Sequence, residues 1–197
     1  ICSKDMRYIL NKIGVYERKR YNYELLEKTY LDLVKSEIID TETISSLKTK
    51  FLDQSVLILV PGRSIATQID DIKKYISDND PIVMSVNFVH DMLRTDYIYM
   101  SNLKRYEYWK NDDRFKGISK IFTSNIHSSS NIANEYIISF TSLIKCGWEH
   151  FDNSTIMLLR LLDKLDVRSI AIAGFDGYSY NEEQKSNYVL EFLESSS

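Results

Sequence analysis

Residues Ser55–Ser64 read SVLILVPGRS, a short apolar run that stops at a proline and a glycine. The five apolar residues Val56–Val60 are too few for a typical helix and rich in β-branched types, so they predict a strand buried on both faces, as in parallel sheets. Pro61 lacks the N–H that a sheet ladder needs, and the glycine after it accepts a tight turn. Ser64 is then placed to cap an amphipathic helix over Ile65–Ser77. Together these features predict one strand–turn–helix unit of an α/β fold.

A turn between a buried strand and a helix N-terminus gathers backbone N–H groups at one spot, where an anion can bind. Gly62, Arg63 and Ser64 are therefore candidates for contacting phosphate. The alternative is a plain connecting turn, because every such unit needs one and Pro-Gly commonly makes it. The single glycine matches neither the dinucleotide pattern Gly-x-Gly-x-x-Gly nor the phosphate loop that ends in Gly-Lys-Ser/Thr. This stretch alone leaves both interpretations open.

The composition is that of a folded globular protein. The chain has 197 residues, 44% of them hydrophobic and 27% charged, and a formal net charge of −3. That charge argues against nucleic-acid binding, which normally relies on a basic surface. No apolar run has the length of a membrane span, and two cysteines are too few for a disulfide framework, so we expect a cytoplasmic protein. The three histidines are far apart in sequence and none has metal-ligand spacing, so no metal site is expected.

The chain divides into two parts by pattern. Residues 1–52 predict a helical linker or appendage without catalytic chemistry, and residues 53–197 alternate near-continuously apolar strands with helices. This alternation predicts a Rossmann-like, three-layer α/β/α domain with a mainly parallel sheet of about six strands. The predicted helices are Ser3–Ile13, Tyr23–Lys35, Thr41–Leu52, Ile65–Ser77, Lys104–Lys110 and Ser154–Leu165, and the predicted strands after Val56–Val60 are Pro81–Phe88, Asp96–Ser101, Ile118–Thr123, Glu135–Ser139 and Ser169–Ala173.

Polar residues follow the carboxyl ends of several predicted strands. Ser64, Asn87, Asn102 and Asp176 each fall just past such an end, and these ends share the edge of a parallel sheet where ligands bind. A side-chain amide offers a donor and an acceptor together, as recognition of ribose hydroxyls or a base edge requires. Because asparagine also favours turns, ordinary turn chemistry is the alternative.

These features, over roughly residues 55–180, resemble bacterial sialyltransferases and motility-associated glycosyltransferases. The matching segments are the Gly-x-Ser loop in Pro61–Ser64, the strand-end asparagines Asn87 and Asn102, the helix start Asn153–Met157, and the Gly-hydrophobic-Asp strand end in Val167–Tyr178. The resemblance implies a nucleotide-sugar site of CMP or UDP type.

In that family the helix start, here Asn153 and Ser154, lies beside the sugar nucleotide. Two departures stand out: the family has glycine where Thr155 stands, and it places a catalytic histidine beyond the last strand, whereas no histidine follows His150 here. Binding is therefore expected more than transfer, because a base for the acceptor hydroxyl is missing from its expected place.

A second resemblance covers nearly the whole chain. The segments that carry it are Ser3–Ile13, Tyr23–Tyr30, Val60–Ile65, Ile82–Phe88 and Ser101–Tyr106. They resemble the C-terminal extension of bacterial aldolases related to 4-hydroxy-2-oxovalerate aldolase and hydroxymethylglutaryl-CoA lyase. The start of the chain at isoleucine instead of methionine fits a fragment of such a protein. The resemblance implies an aldolase barrel as partner domain, with the lyase's catalytic and metal motifs in that barrel.

The sequence thus predicts an accessory domain that binds a nucleotide or nucleotide-sugar, with a glycosyltransferase or a degenerate docking or dimerisation domain as alternatives. A homo-oligomer fits the last of these. No residue is assigned to catalysis. The predicted binding residues are Gly62, Arg63 and Ser64 at phosphate, Asn87 and Asn102 at ribose or base, Asn153 and Ser154 beside phosphate or sugar, and Asp176 on a sugar hydroxyl.

Overall fold

The computed structural model describes residues 38–127, 132–144 and 153–176, and within them strands alternate with helices. The first two predicted helices, Ser3–Ile13 and Tyr23–Lys35, lie outside these residues. The strands are β1 (Ser55–Leu59), β2 (Ile82–Val86), β3 (Tyr97–Met100), β4 (Ser119–Thr123), β5 (Glu135–Ile138) and β6 (Ser169–Ala173). The helices are α1 (Thr41–Phe51), α2 (Ser64–Thr67), α3 (Ile69–Asn79), α4 (Leu103–Trp109), α5 (Asp113–Lys116), α6 (Phe140–Leu143) and α7 (Ser154–Lys164).

The six strands form one sheet in the order β5-β4-β3-β2-β1-β6, and every pairing is parallel. The predicted Rossmann-like fold with a parallel sheet is confirmed. Val56–Val60 lie in the interior of this sheet, each no more than 3% exposed. The chain moves outward from β1 to β5 and then returns to place β6 on the other side of β1. The strand order therefore reverses between β1 and β6, and ligands of open α/β sheets bind outside the carboxyl ends at such a point.

Helices cover both faces of the sheet because side chains alternate along each strand. Val56 and Ile58 point into a core formed with α1 and α7, whereas Leu57 and Leu59 point into a second core with α2 to α5. Helix α1 ends at the fully buried Phe51, so this helix of the segment 1–52 packs in the same core as the sheet. Helix α7 packs against the sheet with five of its residues buried.

The helix predicted over Ile65–Ser77 is interrupted, and this part of the prediction was wrong. Helix α2 ends after one turn, Gln68 leaves the helical conformation at φ −111° and ψ 15°, and α3 begins at the next residue. Ser64 is the first residue of α2 and does not cap it; the cap position belongs to Arg63, which makes no side-chain capping bond. The Ser64 hydroxyl is not available as a cap because it donates to Asp176 in the loop after β6. A four-residue helix has little dipole to offer an anion.

Candidate functional site

In the turn after β1, the backbone N–H groups of Gly62, Ser64 and Ile65 already donate hydrogen bonds within the chain. The Gly62 N–H donates to the Val60 carbonyl over 2.7 Å, and the Ile65 N–H donates to the Gly62 carbonyl over 3.3 Å. The Ser64 N–H donates to Oδ2 of Asp176 over 2.8 Å, and the Ser64 hydroxyl donates to Oδ1 of the same carboxylate. Asp176 therefore occupies the place at which an anion would meet this turn. A phosphate that binds here has to displace that carboxylate.

Two glycines allow the loops after β1 and β6 to touch. A Cβ on Gly62 would lie 2.1 Å from the Gly174 carbonyl oxygen and 2.7 Å from Cγ of Asp176. Gly174 has φ +75°, and a Cβ there would lie 2.1 Å from the Val60 carbonyl oxygen. Backbone packing is thus sufficient to require glycine at both positions. This contact brings together Gly62 and Ser64, which the sequence predicted at phosphate, and Asp176, which it predicted at a sugar hydroxyl.

A second polar cluster joins the ends of β2 and β3 to the start of α7. The Asn87 side chain donates from Nδ2 to the Ser154 hydroxyl over 2.7 Å and accepts the Ser101 N–H at Oδ1 over 3.3 Å. The Ser101 and Ser154 hydroxyl oxygens lie 2.6 Å apart. Asn87 has φ 60°, a left-handed conformation that asparagine tolerates better than most residues. The sequence predicted Asn87 and Ser154 but missed Ser101, which also directly follows a strand.

Tyr99 lies at the base of this Asn87–Ser101–Ser154 cluster. Its side chain is fully buried, and within the described part of the chain its hydroxyl makes no hydrogen bond. Burial raises the pKa of the phenol far above its usual range, and the neighbouring Ser101 hydroxyl and the Arg160 guanidinium oppose that rise only in part. The phenol is therefore neutral at physiological pH.

The two remaining predicted asparagines hold helix ends. Oδ1 of Asn102 accepts the Arg105 N–H over 3.2 Å at the start of α4, and Oδ1 of Asn153 accepts the Ile156 N–H over 3.0 Å at the start of α7. Both are ordinary N-caps. Arg63 precedes α2 with helical backbone angles. Neither asparagine takes part in the two clusters at the ends of β1 and β2.

The two clusters flank the carboxyl end of β1 from opposite helix layers, since Ser64 belongs to α2 and Ser154 to α7. Neighbouring strands are about 4.8 Å apart, so the ends of β6 and β2 lie about 10 Å apart. One side presents the Asp176 carboxylate, and the other presents the uncharged amide and hydroxyls around Asn87. This combination suits hydrogen bonds to hydroxyl groups better than it suits a phosphate.

His90 follows Asn87 by three residues and is half-buried. Its Nδ1 accepts the Met92 N–H over 3.1 Å, and burial, with a smaller contribution from Lys73, lowers its pKa. The sequence did not predict a metal-ligand role for this histidine.

Residues 38–127, 132–144 and 153–176 contain no group of three or more His, Cys, Asp or Glu side chains placed to hold a metal ion. None of the helices in these ranges has the length and apolar character that crossing a membrane requires.

The chain has no significant match among protein-family models, curated proteins or solved structures. The resemblances to aldolase extensions and to sialyltransferases therefore rest on the motifs quoted above.

Proposed function

We propose that this chain is a cytoplasmic, Rossmann-like accessory domain of an aldolase- or lyase-type protein and that it binds a nucleotide or nucleotide-sugar. It has no aldolase chemistry of its own. One observation carries the binding proposal: a carboxylate at Asp176 and the uncharged Asn87–Ser101–Ser154 cluster flank the end of β1, where the strand order reverses. The motifs shared with aldolase extensions carry the assignment of the partner barrel.

The ligand is held mainly by its sugar hydroxyls. The Asp176 carboxylate accepts hydroxyl hydrogen bonds and repels phosphate, and it already occupies the Ser64 N–H. The Asn87 amide uses one N–H and one oxygen lone pair within the chain. Its second N–H and second lone pair supply a donor and an acceptor for another hydroxyl or a base edge. Arg63 supplies positive charge beside the turn for a phosphate that follows the sugar. A CMP- or UDP-type ligand carries all of these groups.

Calorimetry with cytidine, CMP, UMP, UDP-glucose and inorganic phosphate tests this proposal. Wild-type protein should bind cytidine and CMP with affinities within several-fold of each other and should not bind free phosphate. Asp176→Asn keeps the shape but removes the charge, so it should shift the preference toward CMP. Asp113→Asn is the control, because this exposed carboxylate lies on α5 and pairs with Lys116. Phosphate binding as strong as CMP binding would overturn the proposed selectivity.

A docking or dimerisation domain is the second candidate. The observation in its favour is that these polar groups already bond within the chain, Ser64 to Asp176 and Asn87 to Ser154. Absence of binding by every nucleotide at millimolar concentration, together with a dimer in light scattering, would select this function.

Enzymatic assays separate the remaining alternatives. Transfer or hydrolysis of a CMP- or UDP-sugar by purified chain would support the glycosyltransferase. Metal-dependent release of pyruvate from a 4-hydroxy-2-oxo acid, surviving controls for contamination, would contradict the claim that the chain lacks aldolase chemistry.

A further inference from the structure

The loop after β6 carries an aromatic residue, Phe175, between two anchored neighbours. Gly174 is held by its left-handed backbone and its close approach to Val60. Asp176 is held by its two hydrogen bonds to Ser64. The backbone on both sides of Phe175 is thereby fixed at the carboxyl edge of the sheet.

Phe175 stands outside the packed core although it is a large apolar residue. Ala171 and Ala173 of β6 pack against the core on the α3 side, whereas Phe175 is 50% exposed. About half of the residue's surface therefore remains exposed, directly before Asp176, which carries the proposed sugar-binding carboxylate. An aromatic ring in this position is suited to stack on a nucleic-acid base, because every base presents a flat π face.

We propose that Phe175 is the stacking residue for the base of the bound ligand. This inference rests on the proposed function and deepens it. The base stacks on the Phe175 ring while Asp176, the next residue, accepts a hydrogen bond from the sugar. The ligand class is then a nucleoside derivative, and a sugar without a base should bind about tenfold more weakly.

The test compares cytidine with methyl riboside, which has the sugar but no base, by ligand-observed NMR. Phe175→Ala should weaken cytidine binding by about tenfold, the usual effect of losing one stacked base, and should leave methyl riboside unaffected. Phe175→Trp should preserve cytidine binding. Tyr108→Leu is the matched control, because Tyr108 is 49% exposed but lies near the far end of α4.

The outcomes separate this inference from the proposed function. If wild-type protein binds no nucleoside or nucleotide at millimolar concentration, both are overturned. If wild-type protein binds cytidine and Phe175→Ala binds it equally well, only the stacking role is overturned. Equal weakening of cytidine and methyl riboside by Phe175→Ala would also reject stacking, because a general distortion of the loop affects both ligands.

Discussion

Gly62→Ala is the substitution whose effect the structure determines most directly. The new Cβ would lie 2.1 Å from the Gly174 carbonyl oxygen, whereas carbon and carbonyl oxygen normally approach to about 3.3 Å. The two loops must therefore separate by about 1 Å. The obstacle is backbone, so no side-chain rotation relieves it. Separation strains the bond from the Ser64 N–H to Asp176, at 2.8 Å, and the bond from the Val60 N–H to the Ala173 carbonyl, at 2.9 Å.

The expected loss of stability is about 3 kcal/mol, which combines an overpacking cost of about 1–3 kcal/mol with a weakened charged hydrogen bond. This corresponds to a fall in Tm of about 10 °C for a chain of this size. Urea unfolding followed by circular dichroism measures the loss. Gly117→Ala is the matched control, because a Cβ there meets nothing within 4 Å and the backbone is helical at φ −81°. Its stability should stay the same or rise by up to about 1 kcal/mol.

Two results would refute this reasoning. The first is a difference of less than about 1 kcal/mol between the unfolding free energies of Gly62→Ala and Gly117→Ala, because overpacking costs at least about that much. The second is full recovery of stability in the double variant with Asp176→Ala. That substitution removes the carboxylate contact at 2.7 Å but leaves the carbonyl oxygen at 2.1 Å, so most of the penalty should persist.

Three further predictions test other parts of the structure. Asn87→Ala should cost about 2 kcal/mol in urea unfolding, because it strains a left-handed backbone and removes two hydrogen bonds. Asn87→Gly should cost less, and equal costs would show that backbone strain contributes nothing. Lys120 and Glu135 are nearly buried, with Nζ and Oε1 3.7 Å apart. Lys120→Met should therefore cost about 3 kcal/mol of stability, while the double variant Lys120→Met/Glu135→Leu should be nearly neutral. Additive losses in thermal unfolding would show that the two side chains do not act as a pair. Burial lowers the pKa of His90, so the unfolded chain binds the proton more readily and stability falls as pH drops below about 6.5. His90→Asn should therefore reduce the difference in unfolding free energy between pH 7.5 and 5.5. An unchanged difference would show that His90 is not the source of this pH dependence.

Local sequence determined the fold class because hydrophobic pattern is a local property. The apolar run Val56–Val60, the alternation of strands with helices, and the polar residues at strand ends are all visible in the chain order. The predicted strand Ser169–Ala173 matches β6 residue for residue, and the helix predicted from Thr41 ends one residue earlier than expected. Short strands of β-branched residues separated by helices have few alternatives to a parallel sheet.

Tertiary structure decided what the polar residues at the sheet edge do. Sequence placed Ser64 as a helix cap, but Asp176, 112 positions later, takes both its N–H and its hydroxyl. Sequence paired Asn87 with Asn102, yet Asn87 bonds to Ser154 while Asn102 caps its own helix. Hydrogen-bond partners depend on which strands become neighbours, and the return of the chain to place β6 beside β1 is set by the global packing of the sheet. No local pattern encodes that return, because the segments it joins are distant in sequence.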